Sequence, residues 1–181
     1  MKSYSPHLLA INGPAIGAGL CLAVGGCDLR VASAKATMGF TFNRLGLHPG
    51  MAALHFAPLL MGPAFAADLL ITGRVIKAQE ALQMGLVNKV ADDAMEESLK
   101  FAKEICMAAP LSVKTTVKAL RLRQEATGLG LEVRTYVHKV DRQNDKVISK
   151  MDQELPQCLN ILKIVFAVSC VQFRMYIHLP S

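Results

Sequence analysis

The sequence predicts an α/β fold, on three observations. Short apolar runs of strand length, residues 8–11 and 28–32, alternate with apolar helical stretches. Glycine and proline punctuate the junctions, at Asn12-Gly13-Pro14, Gly25-Gly26, Gly62-Pro63 and Gly85. A long amphipathic segment, residues 92–107, opens on Asp92-Asp93 and repeats Met95, Leu99, Ala102 and Ile105 at helical spacing.

The elements follow in order. Residues 8–11 read as a buried strand, broken by Asn12-Gly13-Pro14. Residues 17–26 read as a helix too apolar to face water, and residues 28–32 as a second buried strand. A short strand over 35–40 leads into a loop over 41–49. Residues 50–61 form an apolar helix in which Pro58 is expected to cause a kink or a restart. Gly62-Pro63 opens the next helix, residues 63–71. After a turn over 72–77, residues 78–84 form a short helix stopped by Gly85, and residues 86–90 a strand. The amphipathic helix of residues 92–107 follows, and Pro110 starts another that reaches Arg123. A polar helix is expected over 131–151, then a break at Pro156 and an apolar tail. Residues 164–173 carry no charge, half of the roughly 20 residues a membrane-spanning helix needs, so no membrane partner is expected.

With 181 residues, 52% of them apolar, the chain can bury a sizeable core and is not a disordered segment. A net charge of +6 suits an acidic ligand such as a phosphorylated coenzyme and attracts nucleic acid in general. The basic residues are scattered, however, which favours an ordinary solvated surface and no nucleic-acid partner. Only Lys114, Lys118, Arg121 and Arg123 gather on one helical segment. The five cysteines show neither pairing nor metal spacing and read as reduced thiols of an intracellular protein.

Residues 8–23 carry the candidate site. A strand runs into a glycine turn and then into an apolar helix. Gly17 and Gly19 allow close backbone approach, and the helix amino terminus directs unpaired N–H groups and partial positive charge at that spot. No Lys-Ser/Thr follows the glycines, which excludes a phosphate loop, and a G-x-G without its third glycine is weak evidence for a dinucleotide site. The pattern alone fits either a turn with glycines for packing or a site for an anion or oxyanion.

Resemblance decides between them. The run Asn12-Gly13-Pro14-Ala15-Ile16-Gly17-Ala18-Gly19-Leu20, then Cys27-Asp28-Leu29-Arg30-Val31-Ala32-Ser33, resembles the signature of the crotonase (enoyl-CoA hydratase/isomerase) superfamily. So do Gly46-Leu47-His48-Pro49-Gly50-Met51 and Leu70-Ile71-Thr72-Gly73-Arg74 with residues 78–90. The blocks keep the family's order over about residues 6–122. The resemblance implies a crotonase-like ββα superhelix followed by a C-terminal helical region. It divides the chain into a partial core (1–91), a helical region of the kind that packs between protomers in the family's trimers (92–151) and a divergent apolar tail (152–181). In the family, several strand–helix turns precede the strand at residues 8–11. They carry the first oxyanion-hole amide and much of the adenine-nucleotide surface, so the chain is expected to be a truncated form.

The resemblance also assigns roles. An oxyanion-hole amide comes from the middle of the glycine triplet, here Ala18, with Gly17, Gly19, Pro49 and Gly50 lining the substrate. The family's hydratases use two glutamates, one to activate water and one to protonate carbon. Those positions are Cys21 and Phe42 here. Losing both removes the hydratase machinery but not the stabilisation of a thioester enolate. Cys21 as a lowered-pKa thiolate, His48 as a base, and Asn43 or Arg44 as acyl-oxygen ligands are the remaining candidates. Asp28 reads as structural. Three readings follow: an acyl-CoA-handling enzyme of unusual reaction, a non-catalytic acyl-CoA-binding or assembly subunit, or a truncated product inactive alone. The first two imply an acyl-CoA thioester as ligand, coenzyme A only as part of it, no other cofactor or metal, and, in an intact protein, a trimer-based homo-oligomer. The compartment, mitochondrial or cytoplasmic, is not encoded.

Overall fold

Strand β1 (His7–Ile11) starts the fold and is buried at every residue. The computed structural model describes residues 5–125 and the backbone of residues 163–165. After β1 come β2 (Ala15–Ile16), helix α1 (Ala18–Gly26), β3 (Leu29–Ser33) and β4 (Thr37–Gly39). A 3-10 turn (Thr41–Leu45) leads to α2 (Ala53–Thr72), β5 (Ile76–Lys77), α3 (Ala78–Gln83) and β6 (Lys89–Ala91). Helices α4 (Ala94–Cys106) and α5 (Pro110–Glu125) follow, with β7 (Lys163–Val165) beyond them. One sheet has the order β6-β3-β1-β7, the other β2-β4-β5. Strand–strand–helix therefore occurs twice, as β1-β2-α1 and β3-β4-α2. Like strands stack in parallel, Leu8 opposite Leu29 in one sheet and Ala15 opposite Met38 in the other.

Alternation along β1 builds two cores. Leu9 and Ile11 join Leu20, Cys21, Val24, Met38, Phe40, Phe56, Leu69 and Ile76 on one side. Leu8 and Ala10 join Val31, Ala94 and Ala102 on the other, under α4. Both faces are covered, which is why β1 reads as a continuous apolar run rather than an alternating one. α4 is the amphipathic helix the sequence predicts, and Asp93 caps it, its Oδ1 accepting from the amides of Met95 (2.8 Å) and Glu96 (3.0 Å).

Buried polar groups tie the elements together. Arg30 donates Nε–H to the Leu86 carbonyl (2.8 Å) and Nη1–H to the Cys27 carbonyl (2.7 Å) just past α1, satisfying acceptors that would otherwise be stranded. Asp28 accepts the His7 amide (2.7 Å) and a two-point contact from Arg121 of α5. Arg121 also donates to the Ser5 carbonyl (2.7 Å). Asp28 is thus structural, as its sequence context implies.

Several expectations need correction. The break in α2 lies at Gly62 (φ 78°, ψ 165°), not at Pro58. Pro63 drives its predecessor out of the helical region, and only Gly62 reaches positive φ there without strain. The 41–49 loop contains the 3-10 turn, and β2 and β5 occupy stretches read as turns. The strand expected over 86–90 begins at Lys89, because the amides of Leu86 and Val87 bond back to the Ala81 carbonyl at the end of α3. Gly25 and Gly26 are absorbed as the last residues of α1. Cys21 and Cys27 are free and buried. Residues 163–165, inside the stretch expected as a divergent apolar tail (152–181), form a strand. The helix expected over 131–151 lies outside the described residues. Among those residues α2 is long and apolar enough to cross a membrane, but it is broken at Gly62 and one third of that stretch is buried.

Candidate active site

Two junctions meet at the candidate site: β2 into α1, and β4 into the 3-10 turn. They lie side by side because Ile16 pairs with Gly39. The Gly17 amide donates to the Gly39 carbonyl (2.8 Å), which fixes the entry to α1. Gly17 has φ 57° and ψ −117°, a conformation that an L side chain rarely adopts. A Cβ there would still have room, 3.8 Å from Thr41 Oγ1, so the backbone and not crowding selects glycine. Gly39 is the opposite case, since a Cβ would stand 3.0 Å from the Arg74 carbonyl oxygen and 3.2 Å from Val75 Cα.

Ala18 is the first residue of α1 and has negative φ, so alanine suits this position. The Cys21 amide donates to the Gly17 carbonyl (3.1 Å), the first bond of the helix. The amides of Ala18, Gly19 and Leu20 precede that bond and have no partner within the helix. Gly17, Ala18 and Gly19 are all half-buried. The helix end therefore offers N–H groups and the positive end of a dipole to a polarised oxygen.

Cys21 lies one turn further in and is fully buried. Burial pushes its thiol up from 9.0 to about 12, outweighing the lowering effect of a backbone hydrogen bond. This overturns the reading of Cys21 as a thiolate, for loss of hydration outweighs the helix end. Its Sγ–H faces the Gly50 carbonyl at 3.8 Å. Phe42 is half-buried and packs against the main core. The structure thus brings Gly17, Ala18, Gly19, Cys21 and Gly50 together. Phe42 sits in the 3-10 turn that Thr41 begins beside Gly17. His48 is exposed in the loop between that turn and Gly50, and Pro49 is half-buried. Asn43 is not available as an acyl-oxygen ligand, since its amide nitrogen donates to the Leu70 (2.7 Å) and Ile71 (3.2 Å) carbonyls at the end of α2. Among the described residues no cluster of three or more His, Cys, Asp or Glu is suited to a metal ion.

A model of the enoyl-CoA hydratase/isomerase family matches residues 2–154. The chain belongs to that family. A short-chain-enoyl-CoA hydratase of Clostridioides difficile is 40% identical over 130 residues, 69% of this chain and 83% of the relative. An (E)-benzylidenesuccinyl-CoA hydratase of Thauera aromatica is 39% identical over 127 residues, 69% of this chain and 49% of the relative. Among solved structures, an enoyl-CoA hydratase/isomerase from Pseudoalteromonas atlantica T6c superposes with a TM-score of 0.64 at 37% identity, covering 74% of this chain and 54% of that one. The chain thus spans about half the length of the Thauera and Pseudoalteromonas relatives. The mixed α/β architecture is that of this family.

One feature of the candidate site escapes sequence reasoning. Met51 and Ala52 both have positive φ (51° and 56°), directly after Gly50 and at the entry to α2. Neither residue type favours that conformation, so nothing in the composition announces it. Gly50-Met51-Ala52 is a strained turn beside Cys21.

Proposed function

We propose that this enoyl-CoA hydratase/isomerase family member handles acyl-CoA thioesters and holds the thioester carbonyl at the amino terminus of α1. The Ala18 amide donates to the carbonyl oxygen. As electron density moves onto that oxygen in an enolate, the donor and the helix dipole stabilise it more than they stabilise the ground state. Gly17 and Gly19 keep side chains out of the way. One observation carries this reading: the Cys21 amide makes the first helical bond, leaving the Ala18 amide at the open end.

Hydration by paired carboxylates is not part of the proposal. Cys21 and Phe42 stand at the glutamate positions, the first a buried, protonated thiol and the second a ring packed on the core. Neither activates water. His48 is exposed on the loop between the 3-10 turn and Gly50, and any proton transfer is assigned to its imidazole. A turnover lost in H48A at unchanged affinity supports that role.

A second reading, a non-catalytic acyl-CoA-binding or assembly subunit, is favoured by the same apolar replacement at both positions. The exposed Leu111 and Leu122, eleven residues apart and so on one face of α5, give it an apolar stripe for a trimer-based homo-oligomer. Thermal melts in rising crotonyl-CoA, with free coenzyme A as control, test what the readings share. A ligand that binds only the folded state raises the midpoint with concentration. A midpoint indifferent to crotonyl-CoA would refute both.

A further inference from the structure

We propose that the Thr41 hydroxyl is a second hydrogen-bond donor to the carbonyl oxygen of the thioester, beside the Ala18 amide. The proposal rests on the reading of the α1 amino terminus as the carbonyl site, and adds a side chain to which the resemblance gives no role. Gly17 shows why the two donors converge. At ψ −117°, tetrahedral geometry places a Cβ on this residue nearly eclipsed with the bond to the Ala18 nitrogen. In a trans peptide the N–H lies on the same side as the preceding Cα. The Ala18 N–H therefore points into the space where a Gly17 side chain would stand. Outside the flanking residues, the one described atom within 4 Å of that point is Thr41 Oγ1, at 3.8 Å. From this space an oxygen accepts from both donors, at roughly 2.8 Å from the hydroxyl and roughly 2.9 Å from the amide.

The hydroxyl is fixed in place and uncommitted. The Gly17 amide bonds the Gly39 carbonyl (2.8 Å), and Thr41 follows two residues later, just past the fully buried Phe40. Thr72 and Thr115 turn their hydroxyls back onto carbonyls of their own helices, those of Asp68 (2.7 Å) and Leu111 (3.0 Å). Among the described residues Thr41 Oγ1 makes no such bond. Thr41 is half-buried, as are Gly17 and Ala18, so a ligand can reach all three. The other polar side chains of the turn are directed elsewhere. Asn43 serves the end of α2. The Arg44 stem lies against Gly73, its Cγ 3.1 Å from where a Cβ would stand. A hydroxyl and an amide aimed at one oxygen stabilise an enolate more than either donor alone.

Two ligands test the assignment on the full chain: crotonyl-CoA, and its thioether analogue in which a methylene replaces the carbonyl. T41V keeps the branched shape and loses the donor, whereas T41S keeps the donor. T41V is expected to bind crotonyl-CoA about fivefold more weakly, the net worth of one hydrogen bond, and to bind the thioether as the parent does. T41S is expected to keep the parent affinity for both. The carbonyl stretch of bound crotonyl-CoA is expected at higher wavenumber in T41V than in the parent or T41S, a readout that lost packing would not move. Parent-like binding of crotonyl-CoA by T41V, or equal weakening of both ligands, would overturn the proposal. The Ala18 site would still stand if A18P lowers the affinity. Should T41V fail to fold, the same comparison with T41A decides. A parent chain that binds crotonyl-CoA no tighter than the thioether would overturn the carbonyl site itself, and this proposal with it.

Discussion

Replacing Arg121 by methionine takes a buried guanidinium away from the Asp28 carboxylate. Arg121 is 4% exposed. It donates Nε–H to Asp28 Oδ1 (3.1 Å) and Nη2–H to both Asp28 Oδ2 (2.5 Å) and the Ser5 carbonyl (2.7 Å). Methionine keeps the apolar stem, so packing changes little. What goes is the charge opposite Asp28 and the donor to Ser5. Removing one member of a buried ion pair costs about 3–5 kcal/mol. The Asp28 side chain is 18% exposed and keeps its bond from the His7 amide, so about 3 kcal/mol is expected. Urea unfolding of the parent, R121M, D28N and the double variant measures it. The double variant removes the carboxylate charge together with the guanidinium and should recover at least about 1 kcal/mol of the R121M loss. An R121M loss below about 1 kcal/mol, or strictly additive losses, would refute the view that this pair locks α5 to the sheet.

Other outcomes follow from single positions. The folded protein holds the Cys21 proton up to about pH 12, whereas the unfolded chain releases it near 9. Stability therefore falls as pH rises between those values, by at most about 1.4 kcal/mol per pH unit from this group. C21A should lack that part of the slope in alkaline melting curves, and an unchanged slope would contradict the burial argument. G17A should cost about 1–2 kcal/mol through its positive φ despite the free space. G39A should cost about 1–3 kcal/mol through contact with the backbone of Arg74 and Val75, and thermal melts check both. A18P deletes one amide at a helix position where proline is tolerated. It should leave the melting midpoint nearly unchanged and weaken crotonyl-CoA binding about fivefold, the net worth of one hydrogen bond. An unchanged affinity would remove the Ala18 amide from the site.

Where one local rule dominates, the fold was legible in the sequence. Apolar runs placed β1 and β3, helical periodicity with Asp93 placed α4, and Gly62-Pro63 divided α2. Two-residue strands such as β2 and β5 were not, because at that length pairing with β4 decides the conformation and carries no local pattern. Residues 86–88 show the same override, their apolar character arising from packing at the end of α3. At the site, resemblance supplies only the expected roles of the glycines and of positions 21 and 42; their conformation comes from the fold. The inertness of Cys21 was not legible, since a helix end and deep burial push a thiol in opposite directions and only the fold shows which prevails. Nor were the left-handed Met51 and Ala52, whose conformation is set by the turn into α2.

The most direct test of the account is hydration of crotonyl-CoA, followed by loss of the conjugated double bond, on the sample whose melting midpoint rises with that ligand. The account predicts binding without hydration, because a buried thiol at Cys21 and a packed ring at Phe42 cannot activate water. Hydration above a no-protein control, retained in H48A, would mean that another group in this chain does the work of the two carboxylates, and would contradict it.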